Sequence, residues 1–384
     1  MSYTIKTETV SVNITETGGM LTASFGGVEP FKCAPWTPEA CSDALPPLLK
    51  YLRGDFDCWF GANATPVEGV QHLPHGDPCN LQWEETGREE SDGGAMLQLE
   101  MTPSALPGKV LKKVLLYPEH PVVYTQTLNC VDAQLSAGHH ANLRIPESAD
   151  YHISTSPFVL GRTFPEPFLD AGAKPRLAVD AQFESLAALP LKDGSTVDIS
   201  KYYKQKGCDD LMMISSGPDA AMAWAALTNR EEKYVFFTLK DPRVLASTMF
   251  WFSHFGRDGE PWGLNGTPRH GFSLGMEDVT ALFALGIAES CGEVEAYRPL
   301  LELYREKGIK TCLDFTQANP PPINYIMACV RVPAGFRGVA DIRKTGSGIE
   351  LVDFSGGALA VPVCTEWLQA GASAGMDFLK GGNR

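Results

Sequence analysis

Two short stretches more than a hundred residues apart carry the side chains of this chain best suited to chemistry. They are Gly138-His139-His140-Ala141-Asn142-Leu143 and Leu274-Gly275-Met276-Glu277. Each closes a strand-like run, and together they offer an imidazole and a carboxylate. Moving two protons at once near neutral pH needs one group that donates and one that accepts, and these two types fit that task. Successive side chains on a strand point to opposite faces, so His139 and His140 must serve different surroundings. The same rule separates Glu277 from Asp278, which makes them a poor carboxylate pair for glycoside hydrolysis.

Other chemical signals are weaker. Gly271-Phe272-Ser273-Leu274-Gly275 matches the GxSxG elbow of serine hydrolases, but that elbow needs a parallel sheet and a histidine later in the chain. The last histidine here is His270, before Ser273, so the match is read as chance. In His72-Leu73-Pro74-His75 the proline forbids the helical spacing of a zinc site. No metal is expected. Neither a GxGxxG after a strand nor a P-loop occurs, so no nucleotide cofactor is expected either.

The elements that must position these residues are strands. Runs at 20–28, 96–103, 109–118, 121–131, 141–146, 210–217, 220–229, 233–241, 248–256, 324–333 and 348–356 are β-rich and bounded by Gly, Pro, Asn or Asp. The segment 96–131 reads as an antiparallel meander of three strands. Helical spacing is confined to 42–53 and 294–307, with 278–290 open to helix or loop and a short helix allowed within 363–380. No linker or composition shift divides the chain. The expectation is all-β: one large antiparallel β-sandwich domain spanning 1–384, with a few short helices.

Composition narrows the partners. A net charge of -14 with no basic run argues against nucleic acid. The first residues alternate like a strand and lack the pattern of a signal peptide. No apolar run reaches the roughly 18 residues of a membrane helix, so no membrane partner is expected. Ten cysteines without a CxxC spacing read as reduced, buried thiols in the cytoplasm, where the sequons at Asn13, Asn63 and Asn265 carry no meaning. Trp59, Trp83 and Trp262 are candidates to stack on the apolar face of a ligand, whereas Trp251 in a dense apolar run reads as core. Exposed edges of a large sandwich allow a homodimer.

The order of several short motifs resembles the galactose mutarotase-like superfamily, the aldose 1-epimerases and their relatives. Arg53-Gly54-Asp55-Phe56-Asp57-Cys58-Trp59-Phe60-Gly61 stands where that family has its early turn, followed by His75-Gly76 and the strand Val122-Val123-Tyr124-Thr125-Gln126-Thr127-Leu128. The His139-His140 and Gly275-Met276-Glu277 segments come next, and the likeness spans roughly residues 45–285. It implies a β-supersandwich and a cofactor-free isomerase acting on a small sugar. It also implies His140 as general acid, Glu277 as general base, and His75 as a hydroxyl contact. His139, Asn80, Trp83 and Trp262 complete the expected substrate contacts. A cationic His140 would protonate the ring oxygen of a cyclic aldose while an ionised Glu277 takes the anomeric proton. Two departures stand out: Asp77 and Asn80 occupy the region of the family's "HGxxR" arginine, and Asp278 replaces the proline of "EP". Arg53, Arg144 and Arg269 are the candidates for the missing cation. The alternatives are a sugar-binding protein without turnover and, more remotely, a carbohydrate lyase or hydrolase.

Overall fold

The structure, a computed structural model, describes residues 1–39 and 43–371. Two eight-stranded sheets dominate it. The first runs in the order Gln182–Phe183, Leu160–Thr163, Cys208–Ser215, Ser247–His254, Phe272–Thr280, Ala137–His139 and Asp57–Cys58, with Ala141–Arg144 also paired to Phe272–Thr280. The second runs Tyr151–Thr155, Ala223–Asn229, Tyr234–Lys240, Ile323–Arg331, Val122–Val131, Gly108–Leu116, Gly94–Met101 and Glu84–Ser91. Every pairing within both sheets is antiparallel. The expected antiparallel β-sandwich is thus present, and the meander lies in the second sheet.

Several central strands are buried along their whole length, among them Cys208–Ser215, Ser247–His254 and Phe272–Thr280. A strand in a two-layer sandwich would alternate buried and exposed; these do not, because both of their faces are covered. One apolar layer fills the space between the sheets, with Leu274, Met276, Phe236, Tyr325 and Met327. A second lies on the outer face of the first sheet, with Phe56, Met249, Trp251, Trp262 and Tyr304. A third lies on the outer face of the second sheet, under the small sheet Val339–Thr345, Gly348–Asp353 and Ala358–Pro362 and the helix Trp367–Ala370.

The helices are shorter than their sequence spacing suggests. Within 42–53 only Pro47–Tyr51 is α-helical, and Ser42 lies outside the described residues. Pro46 and Pro47 set its start, since proline suits a first turn but lacks the N–H that a helix interior needs. The helix Arg298–Glu306 buries Leu301 and Tyr304, as their spacing predicts. Between them, 278–290 splits: the strand continues to Thr280 and a helix begins at Ile287. The described part of the last segment holds Trp367–Ala370; residues 372–380 lie outside the described residues. Among the described residues no helix is long and apolar enough to cross a membrane. The nine described cysteines are free, but Cys33 and Cys130 are exposed rather than buried.

Candidate active site

His140 and Glu277 come together on the outer face of the first sheet. Ala137 and Gly138 pair with Thr280 and Val279, and Ala141 pairs with Met276. Continuing that register sets His140 opposite Glu277 and His139 opposite Asp278. His140 itself leaves the ladder, donating its N–H to the Phe56 carbonyl. Its ring stacks on Phe56, with centroids 4.7 Å apart. His140 Nε2 lies 3.3 Å from Glu277 Oε1, with the residues 6% and 2% exposed.

Two glycines permit this approach. A Cβ on Gly138 would strike the Asp278 backbone, and one on Gly275 would overlap the Glu277 carboxylate. Gly275 and Glu277 share a strand face, and Trp251 and Met249 stand across from them. The carboxylate therefore folds back over Gly275 beside Trp251.

The pair opens into a cavity of about 410 Å³, within the usual range for small-molecule sites. His75, Phe56, Leu211, Trp251, Trp262 and Arg257 line it, with Asp170 and Glu260 toward its edge loops. His75 sits on a left-handed turn (φ 56°), its ring centroid 5.3 Å from that of His140. Gly76 beside it has φ 76° and packs so tightly on Trp59 that a side chain would collide.

Burial decides the charge of these groups. It lowers His140 well below the ordinary imidazole value, and His75 adds to the effect. His75 is itself lowered to about 4 by burial. Glu277 is raised well above the usual carboxylate range by burial, which Arg257 partly opposes. Both shifts favour a neutral imidazole beside a protonated carboxyl over the ion pair expected from sequence. An apolar cavity penalises separated charge more than the contact repays. The number of mobile protons is the same in either form.

The other expected contacts divide. His75 and Trp262 line the cavity. Asn80 borders it, but its side chain is committed to the fold: Oδ1 accepts from the Leu48 N–H, and Nδ2 donates to the Pro74 and Gly76 carbonyls. Trp83 does not reach the cavity; it is fully buried in the inter-sheet core, donating to the Pro78 carbonyl. His139 points into the sandwich interior, as strand alternation requires, and bonds Asp55 at 2.9 Å. Trp59 is likewise internal, bonded to Asn129. Asp77, where an arginine is expected, turns away to accept from the Ser104 and Ala105 N–H groups.

Trp251 and Arg257 are among the lining residues that the sequence did not single out for the site. Trp251 is a wall of the cavity, not plain core, and its indole N–H donates to Asp209 at 2.5 Å. No sequence pattern marks it; its place follows from the register that sets it opposite Gly275. Arg257 is the cavity's guanidinium, 4.6 Å from the centre of the Trp262 ring and 5.1 Å from that of Trp251. It also meets Asp209 at 3.2 Å and Asp170 at 2.9 Å. Arg53, Arg144 and Arg269 do not line the cavity; Arg144 pairs with Glu232, and Arg269 with Glu39. Ser273 lies inside an antiparallel strand, so no nucleophile elbow exists there.

No protein-family model matches the sequence, and no curated protein matches it. Solved structures do share its shape. A galactose mutarotase related enzyme from Lactobacillus acidophilus superposes with a TM-score of 0.52 at 13% identity, covering 87% of this chain and 100% of that one. A galactose mutarotase-like protein from Clostridium acetobutylicum gives 0.51 at 10% identity, covering 86% and 94%. The Slr1438 protein from Synechocystis sp. PCC 6803 gives 0.51 at 11%, covering 86% and 96%. The chain has the fold of the galactose mutarotase-like superfamily.

Proposed function

We propose that the cavity interconverts the anomers of a small cyclic aldose, with His140 and Glu277 as the proton-transfer pair. The observation that carries this reading is the 3.3 Å contact between an imidazole and a carboxyl at the floor of a cavity of sugar size. In the neutral pairing that burial favours, Glu277 carries the mobile proton. It would protonate the ring oxygen while the neutral His140 accepts the proton of the anomeric hydroxyl. The C1–O bond to the ring oxygen opens, the aldehyde end rotates about C1–C2, and reversal of both transfers closes the other anomer. If the substrate's hydroxyls and Arg257 first draw the proton onto His140, the two residues exchange roles. Both routes are cycles of one acid and one base and consume no co-reactant.

Trp251, Trp262 and Phe56 offer ring faces suited to the apolar side of a pyranose. Arg257, His75 and the edge carboxylates Asp170 and Glu260 are the polar contacts. Free thiols suit a cytoplasmic setting. A second reading, sugar binding without turnover, draws on Arg257 being engaged already by Asp209 and Asp170. Titrating a panel of pyranoses while following anomer exchange separates the two: binding with exchange supports the isomerase, and binding alone supports the second reading.

A further inference from the structure

Directly behind the cavity, between the two sheets, the residues adjacent to His140 and Glu277 enter a buried polar cluster. Asp278 accepts from Thr248 at 2.6 Å and Thr238 at 2.7 Å, and pairs with Lys240 at 2.6 Å. His139 bonds Asp55, while Lys112 pairs with Asp57 at 2.7 Å. Burial alone would neutralise His139, but Asp55 and Asp57 outweigh it and hold the ring raised. Burial likewise opposes the charge on Asp278, and Lys240 overcomes it. Such a cluster is an expensive way to fill a core, since well-packed apolar residues are often equally stable.

One residue of the opposite sheet joins its two halves. The Tyr325 ring stacks on His139 with centroids 4.1 Å apart and planes 14° from parallel. Its hydroxyl donates to Asp278 at 2.8 Å. Tyr325 thus touches the immediate neighbour of His140 and the immediate neighbour of Glu277, on two strands whose backbones separate at that point.

We propose that Tyr325 is a positioning residue, which sets the spacing of His140 and Glu277 from behind by tying His139 to Asp278. The proposal rests on His140 and Glu277 working as a pair. A misplacement of about 1 Å in such a site costs on the order of a hundred-fold in rate.

The test is Tyr325→Phe, which keeps the ring on His139 and removes the hydroxyl that bonds Asp278 and meets Thr238. Thr248→Val serves as a control that takes another bond from Asp278 while leaving His139 and the Tyr325 hydroxyl in place. The first readout needs no turnover: the ¹⁵N shift of His140 Nε2, and its change on Glu277→Gln, measured in each background. Tyr325→Phe should reduce that change to less than half, and Thr248→Val should leave most of it. The second readout is anomer exchange, where Tyr325→Phe should lower kcat at least ten-fold with KM within about three-fold. An unaltered His140 response in Tyr325→Phe, or an equal loss in Thr248→Val, would overturn the proposal. Absence of exchange with every sugar in wild type, with the His140 response still dependent on Tyr325, would sink the isomerase reading and leave the positioning role standing.

Discussion

His140 and Glu277 face each other across neighbouring strands at 3.3 Å, and the glycine two residues before the carboxylate makes room for it. Gly275 has an ordinary strand conformation, so a larger residue there is opposed by contact alone and not by backbone strain. Gly275→Ala should displace the Glu277 carboxylate and cut turnover at least ten-fold. Overpacking should cost roughly 1–3 kcal/mol of stability. Exchange rates together with denaturant midpoints check this; full activity in a folded variant would show that the carboxylate does not need its present place.

Arg257 links the cavity to the buried Asp209, whose carboxyl burial pushes up to about 6 despite Arg257 and Trp251. A carboxylate raised above its unfolded value favours the fold at low pH and loses that contribution as pH rises through the folded value. Removing the guanidinium raises Asp209 further and enlarges the penalty above pH 6. Arg257→Met should therefore destabilise more at pH 8 than at pH 5, measured as denaturant midpoints. It should also raise Glu277 further, since Arg257 opposes its burial.

Seven of the eight histidines are lowered, each chiefly by burial, and only His139 is raised. Below the ordinary imidazole value of 6.5 the unfolded chain takes up protons that the folded chain refuses. Stability should then fall as pH drops from about 6.5 toward 4. Asp209, Glu277, Glu293 and His139 act in the opposite sense but are outnumbered. Thermal midpoints at pH 7.5, 6 and 5 should descend in that order.

The strand inventory was legible because apolar β-rich runs are cut by turn residues, and the His140–Glu277 pairing because the motif order resembles a known family. Alternation alone separated His139 from His140 correctly. What escaped was face assignment in strands covered on both sides: in Ser247–His254 every residue is buried, so nothing in the pattern marks Trp251 as a cavity wall. Trp83 failed for the converse reason, as an indole looks the same in sequence whether it meets a ligand or a Pro78 carbonyl. Arg257 was missed because it lies just beyond a strand, far in sequence from the expected motif, and is held by tertiary contacts with Asp209 and Asp170. The burial that opposes an ion pair here was not legible, because sequence shows which groups meet but not how dry the meeting place is.

The most direct test of the central claim is saturation-transfer NMR between α and β anomers of a panel of aldoses, for wild type, Glu277→Gln and His140→Gln. Exchange should be accelerated for at least one sugar and lowered about a hundred-fold or more in each variant, while sugar affinity stays within a few-fold. Undiminished exchange in either variant, or no acceleration by the wild type for a sugar that binds, would contradict it.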